Sequence, residues 1–254
     1  MKENLNKTAL ITGASSGIGR DMARVLAQKG YNLILVSRNE ENMLKLKEEL
    51  NTNVEIFTMD LAKIENCVKL YEQVKSVDIL INNAGFGVFG RFEEIDLNKE
   101  IELINTNIVA VHTLTKLFLQ DMKQKKVGHI LNVASIASFT PGPLMASYYA
   151  SKAYVLRLSE AISEELKKSK SNVKISVLCP GPVRTNFNNV AGVKFNLNSL
   201  SSEYVARYAI EKMLKNKLII VPGKVNNVLR FVLKIVPENI CRKVNYYMQK
   251  RKRD

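Results

Sequence analysis

Short apolar runs alternate with longer amphipathic stretches along most of the chain. Seven runs predict strands: Thr8–Ile11, Asn32–Val36, Val54–Phe57, Ile79–Ile81, His129–Val133, Lys174–Leu178 and Leu218–Val221. Between them, apolar residues recur at helical spacing over Gly17–Lys29, Glu40–Leu50, Ile64–Val74, Lys99–Lys123 and Ser147–Lys168. Strand alternating with helix implies β-α-β units and a parallel sheet with helices on both faces. The strands read as continuous apolar runs, as doubly covered strands do. The expectation is an α/β fold: one Rossmann-like, doubly wound domain with a sheet of about seven strands. No Gly-, Ser- or Pro-rich linker and no repeat divides it.

The pattern changes near the C-terminus. Val225, Val228, Leu229, Val232 and Val236 share one helical face, with Arg230 and Lys234 opposite, and Pro237 ends the pattern. Residues 1–223 therefore read as the domain and 224–254 as a basic, helical, amphipathic extension.

Composition sharpens this division. The chain has 254 residues and a net charge of +14, with ordinary globular proportions of apolar and charged residues. Nine Lys or Arg against two acids give the last 31 residues +7, half the total. The three cysteines, Cys67, Cys179 and Cys241, are too scattered for a zinc site or a disulfide framework, which fits a reducing, cytoplasmic setting. The N-terminus lacks a signal-peptide pattern, and no apolar run approaches the ~20 residues of a membrane span. Nucleic acid is not an expected partner, because no recognition module or stacking aromatic platform accompanies the charge.

Two segments carry candidate chemistry. Thr12-Gly13-Ala14-Ser15-Ser16-Gly17-Ile18-Gly19 sits between the first strand and a helix. There Gly13 permits a tight turn, Gly17 lets a pyrophosphate approach the backbone, and Gly19 lets helix and strand pack closely. The helix N-terminus offers N–H groups to phosphate. The second strand ends Val36-Ser37-Arg38, with no carboxylate for a free ribose 2′-hydroxyl. Arg38 suits a 2′-phosphate, so NADP(H) is the preferred cofactor and NAD(H) the alternative, although a solvated arginine at a strand end is also consistent. Tyr148 and Lys152 lie one helical turn apart. An ammonium near the phenol lowers its pKa from near ~10, making the pair a candidate general acid/base. Tyr149 has Ala at the matching position and reads as packing.

Taken together, these residues resemble the short-chain dehydrogenase/reductase family. The Thr-Gly-x-x-x-Gly-x-Gly turn, Asn82-Asn83-Ala84-Gly85, Asn107, Ser135, Tyr148-x-x-x-Lys152 and Pro180-Gly181-Pro182-Val183-Arg184-Thr185 follow in the family's order over about residues 5 to 222. The resemblance implies that Tyr148 exchanges a proton with the substrate oxygen and that Ser135 hydrogen-bonds it. Lys152 would lower the tyrosine pKa and contact the nicotinamide ribose, and Asn107 would hold a water that links Lys152 to solvent. Gly13, Ser15, Ser16, Gly17, Ile18, Gly19, Asn83, Ala84, Gly85, Pro180, Gly181, Val183 and Thr185 would line the cofactor, with Asn83 also steadying the central strands. Asp60 matches the family's adenine contact, with a helix N-cap as the alternative use for it. Ser16 stands where many NADP-preferring relatives carry a basic residue, so that preference rests on Arg38.

The expected function is hydride transfer between NADPH and a carbonyl or secondary alcohol. The look of the chain is nearest the ketoacyl reductase and hydroxysteroid dehydrogenase branch. Phe187, Val190, Val193, Phe195 and Leu197, within 186–202, would give an apolar substrate face, or pack as an ordinary lid. A non-catalytic nucleotide sensor is the alternative, and it has no need for the whole tetrad of Asn107, Ser135, Tyr148 and Lys152. A homodimer or homotetramer is expected. The extension would pack its apolar face on the domain or a subunit interface, the reading favoured, or touch a membrane surface. No metal site is expected, since His112 and His129 lack ligand spacing.

Overall fold

The computed structural model describes residues 7–74, 76–185, 199–233 and 235–250. Seven parallel strands form the sheet: β1 (Thr8–Thr12), β2 (Asn32–Ser37), β3 (Val54–Thr58), β4 (Ile79–Asn82), β5 (His129–Val133), β6 (Lys174–Leu178) and β9 (Ile219–Ile220). Their order is β3-β2-β1-β4-β5-β6-β9. A short pair, β7 (Val183–Arg184) and β8 (Leu200–Ser201), stands apart from it. Each predicted strand is present, with ends moved by a residue or two.

Alternation along β1 explains the layering. Ala9 and Ile11 point to one face, against Met22, Ala23 and Leu26 of α1 (Gly17–Gln28) and Val205, Ala209 and Met213 of α7 (Ser202–Leu214). Leu10 points to the other. There it joins Cys67 and Leu70 of α3 (Ile64–Val74) and Leu114 and Phe118 of α5 (Val111–Lys125). Helix α2 (Glu40–Glu49) is capped by Asn39, whose Oδ1 accepts from Asn42 N at 2.8 Å.

The helix predicted over Lys99–Lys123 differs in detail. It begins as α4 (Leu97–Ile104), passes through a π-helical turn at Asn105–Ala110 and continues as α5. The π turn holds Asn107, fully buried, and such turns favour functional positions. Helix α6 (Ala146–Lys168) then lies across β5 and β6, carrying Tyr148 and Lys152 in its first two turns.

A buried polar network underlies this junction. Asn82 Nδ2 donates to Asn132 Oδ1 at 2.9 Å and to Thr115 Oγ1 at 3.0 Å, and Asn132 Nδ2 donates to Ser159 Oγ at 3.0 Å. β4, β5, α5 and α6 are thereby locked together beneath the site. Strand β1 lies between β2 and β4, so the chain order reverses there. A crevice opens at the strands' carboxyl ends at such a switch point.

The chain ends in α8 (Lys224–Val232) and α9 (Glu238–Lys250). Among the described residues, no helix is long and apolar enough to cross a membrane.

Candidate active site

A cleft of about 1280 Å³ runs along the carboxyl ends of the strands and on to α8 and α9. Of the residues expected to take part in catalysis or line the cofactor, all line it except Gly19 and Asn107. Those two stand just behind its wall.

The glycine-rich turn is held by backbone geometry. Gly13 adopts φ 64° and its N–H donates to Val36 O at 2.8 Å. Gly17 adopts φ 53°, and a Cβ there would stand 3.0 Å from Thr185 Cγ2. Gly19 faces the Gly13 carbonyl and the Asn83 amide, so a side chain would wedge the helix off the turn. Asn83 Nδ2 donates to the carbonyls of Thr12 (2.9 Å) and Gly13 (3.1 Å), tying β4 to β1. Ser16 leads into α1 without a side-chain cap, which leaves the first N–H groups directed to the cleft for an anion. Left-handed glycines, a free helix N-terminus and a long cleft together fit a dinucleotide.

Towards the ribose end, Ser15 and Ser37 hydroxyls are 2.7 Å apart. Arg38 is exposed, and its guanidinium pairs with Glu102 Oε1 at 2.7 Å. Asp60 Oδ1 accepts from Ala62 N at 3.0 Å while the residue also lines the cleft, so it serves the local turn as well.

Tyr148, Ser135 and Lys152 converge further along. The Tyr148 hydroxyl is hydrogen-bonded to the Ser135 side chain, and Lys152 Nζ is 5.9 Å from the tyrosine ring centroid. Ser135 caps the turn Ile136–Phe139, accepting from Ala137 N at 3.1 Å, and Ser138 Oγ bonds the Lys152 carbonyl at 2.8 Å. Lys152 is 5% exposed, and its ammonium donates to Val133 O at 3.0 Å. Burial pushes its pKa down to about 8. Burial also pushes the Tyr148 hydroxyl up to about 12, with the Ser135 hydrogen bond opposing the rise. Burial, and not the ammonium, thus sets the direction of the tyrosine shift in the protein itself. Both groups are desolvated, and the ammonium points at a carbonyl.

The Asn107 carboxamide bonds within the protein. Its Nδ2 donates to Phe86 O (2.9 Å) and Ser151 Oγ (3.1 Å), and its Oδ1 accepts from Phe86 N (3.0 Å). The side chain therefore holds the 85–86 loop against α6. A Cβ on Gly85 would stand 2.8 Å from Asn107 Oδ1 and 3.2 Å from Lys152 Nζ.

The far end of the cleft was not legible beforehand. Leu229, Val232, Val236, Ile240, Val244 and Met248 of the C-terminal segment line it, with Met145 and Tyr149 opposite. Asn245 Nδ2 donates to Thr140 Oγ1 (2.9 Å) and Pro141 O (2.8 Å), and buried Gln249 donates to the Tyr149 hydroxyl. Burial raises the Tyr149 pKa. Only the apolar spacing of this segment hinted at a pocket wall. Phe187, Val190, Val193, Phe195 and Leu197 lie outside the described residues. His112 pairs with Tyr154 and His129 with Ser176, and no metal-binding cluster exists among the described residues.

The short chain dehydrogenase family model matches residues 7–194. The chain belongs to that family. It is an NAD(P)-dependent oxidoreductase of the Rossmann type. Its relatives include the 3-oxoacyl-(acyl-carrier-protein) reductase FabG of Rickettsia prowazekii, 34% identical over 70% of this chain and 73% of that protein. Two solved structures are similar. A short-chain dehydrogenase from Sphingobium yanoikuyae in complex with NADPH is 27% identical, with TM-score 0.80 over 91% of this chain and 97% of that one. A Burkholderia phymatum short-chain dehydrogenase/reductase in complex with NAD is 26% identical, with TM-score 0.81 over 91% of this chain and 93% of that one.

Proposed function

We propose that this short-chain dehydrogenase reduces an apolar carbonyl compound, a 3-ketoacyl or ring ketone, with NADPH, or runs the reverse oxidation of the alcohol. The observation that carries the reading is the meeting of Tyr148, Ser135 and Lys152 where the nucleotide end of the cleft joins its apolar end.

Tyr148, with its pKa held up near 12, is protonated at neutral pH and donates to the carbonyl oxygen. Ser135 donates a hydrogen bond to the same oxygen as charge develops on it. Lys152, held by Val133 O, is cationic below about pH 8 and stabilises the phenolate left when the proton departs. Asn107 positions the 85–86 loop beside Lys152. The nicotinamide, when bound, supplies the hydride. The glycine turn and the α1 N-terminus hold its pyrophosphate, Asp60 flanks the adenine, and Pro180, Gly181, Val183 and Thr185 flank the nicotinamide. Arg38 exchanges Glu102 for the ribose 2′-phosphate, and NADH is the weaker cofactor. FabG of Rickettsia prowazekii is named for a 3-oxoacyl substrate, which agrees with an apolar acyl chain against α8 and α9. The working unit is a homodimer or homotetramer, with residues 1–223 as its domain and 224–254 as extension.

The test is a screen of acyl and cyclic ketones followed by NADPH absorbance. Turnover with apolar ketones is expected. Tight NADPH binding with no turnover on any ketone would instead support a nucleotide sensor.

A further inference from the structure

Polar side chains of the C-terminal helices bond back to the body, beside the apolar side chains that line the cleft. Asn226 Nδ2 donates to Pro222 O at 2.8 Å, Asn227 Nδ2 to Val221 O at 2.7 Å, and the Arg230 guanidinium lies 5.6 Å from the Phe139 ring centroid. On α9 the bonds to the body come from Asn245 and Gln249.

The apolar side chains that remain divide into two sets. One lines the cleft. The other does not: Val228, Phe231 and Ile235 are 63%, 66% and 69% exposed, and Tyr247 is 66% exposed. Val228 and Phe231, three positions apart, share a face of α8, and Ile235 follows just beyond the helix end. Among the described residues beyond Gly223, five exposed large hydrophobic side chains, Val228, Phe231, Ile235, Tyr246 and Tyr247, lie outside the cleft, a concentration that demands a cover. Lys224, Arg242, Lys243 and Lys250 are exposed on the same two helices.

We infer that this outer face of α8 and α9 docks on the interface of an anionic lipid bilayer. Val228, Phe231 and Ile235 enter the acyl boundary, Tyr247 sits at headgroup level, and the basic side chains meet acidic headgroups. Charge selects this occupant over a second copy of the chain. An isologous contact sets a patch against itself, which would bring two +7 tails together. The attachment is peripheral, because neither helix is long and apolar enough to span.

The test is co-sedimentation of the full chain with vesicles of phosphatidylcholine alone and of phosphatidylcholine mixed with phosphatidylserine. Binding to the mixed vesicles, weakened by salt, is expected. Combined Lys243→Glu and Lys250→Glu should lower that partitioning by about tenfold or more. Combined Phe231→Asp and Ile235→Asp should abolish it, with NADPH binding and hydrodynamic size unchanged. No partitioning, equal partitioning into neutral vesicles, or unaffected variants would overturn the inference. So would a loss of oligomer mass in the Phe231→Asp, Ile235→Asp protein with vesicle binding intact, which would assign the face to a second copy.

Discussion

Tyr148 and Lys152 face opposite pressures from one cause. Burial pushes the phenol up to about 12 and the ammonium down to about 8, so the neutral form is favoured in each. Reduction needs the protonated phenol and the charged lysine. Its rate should therefore fall as pH rises through about 8, where Lys152 loses its proton; a rate flat to pH 10 would remove Lys152 from the step. Tyr148→Phe should lower kcat by roughly 10²–10⁴-fold while NADPH affinity, read by fluorescence titration, stays unchanged. Arg38 supports a separate prediction. Its ion pair with Glu102 is exposed and weak, so a phosphate can displace it. Arg38→Ala should raise KM for NADPH about tenfold and leave KM for NADH nearly unchanged. Single residues were the most legible level of the sequence. Gly13 stands in one short local pattern and Tyr148 with Lys152 in another, and the fold brings the two patterns to one cleft. Asn107 was legible as a site position but not in what its carboxamide bonds. Its partners Phe86 and Ser151 are 21 and 44 positions away, so no local pattern exposes them.

At the scale of elements, the strands were legible because burial on both faces makes each a run of apolar residues. The exceptions within those runs are informative. Asn132 interrupts β5 and carries the amide network beneath the site. His129 begins the same strand, 8% exposed, with Nε2 2.9 Å from Ser176 Oγ. Ser176 donates its own proton to Lys217 O, so the imidazole is the donor between them. Burial lowers the His129 pKa from 6.5 to about 4. The folded state then binds fewer protons than the unfolded chain between these values. Stability therefore rises with pH from about 4 to 6.5 and is lost as pH falls through that window, by on the order of 3 kcal/mol when complete. Denaturant melts of His129→Gln should show this acid sensitivity reduced; an unchanged profile would place it elsewhere. The π turn at Asn105–Ala110 was not legible, because one extra residue in a turn leaves helical periodicity almost intact.

For the whole molecule, the order of the strands and the positions of the chemical residues follow from one rule. Each strand's carboxyl end opens on the same edge of the sheet, and the turn after β1, Arg38 after β2, Asp60 after β3, Asn83 after β4, Ser135 after β5 and Pro180 after β6 all line the cleft along it. The C-terminal segment obeys a different rule. Its helical spacing was visible in the sequence, but the side it presents to the body depends on Asn245 and Gln249 finding distant partners, which periodicity does not encode. Apolar residues from that segment wall the far end of the cleft, so Val232→Asp with Val244→Asp should raise KM for a long acyl ketone at least tenfold and leave NADPH binding intact. The central claim is hydride transfer to a carbonyl with Tyr148 as proton donor. It is tested most directly by mass spectrometry of the alcohol formed from an apolar ketone and NADPH carrying deuterium at the nicotinamide C4. One deuterium on the carbinol carbon from the native protein, and alcohol formed at least about a hundredfold more slowly by Tyr148→Phe, is the predicted result. Alcohol without deuterium, or equal product from Tyr148→Phe, would contradict it.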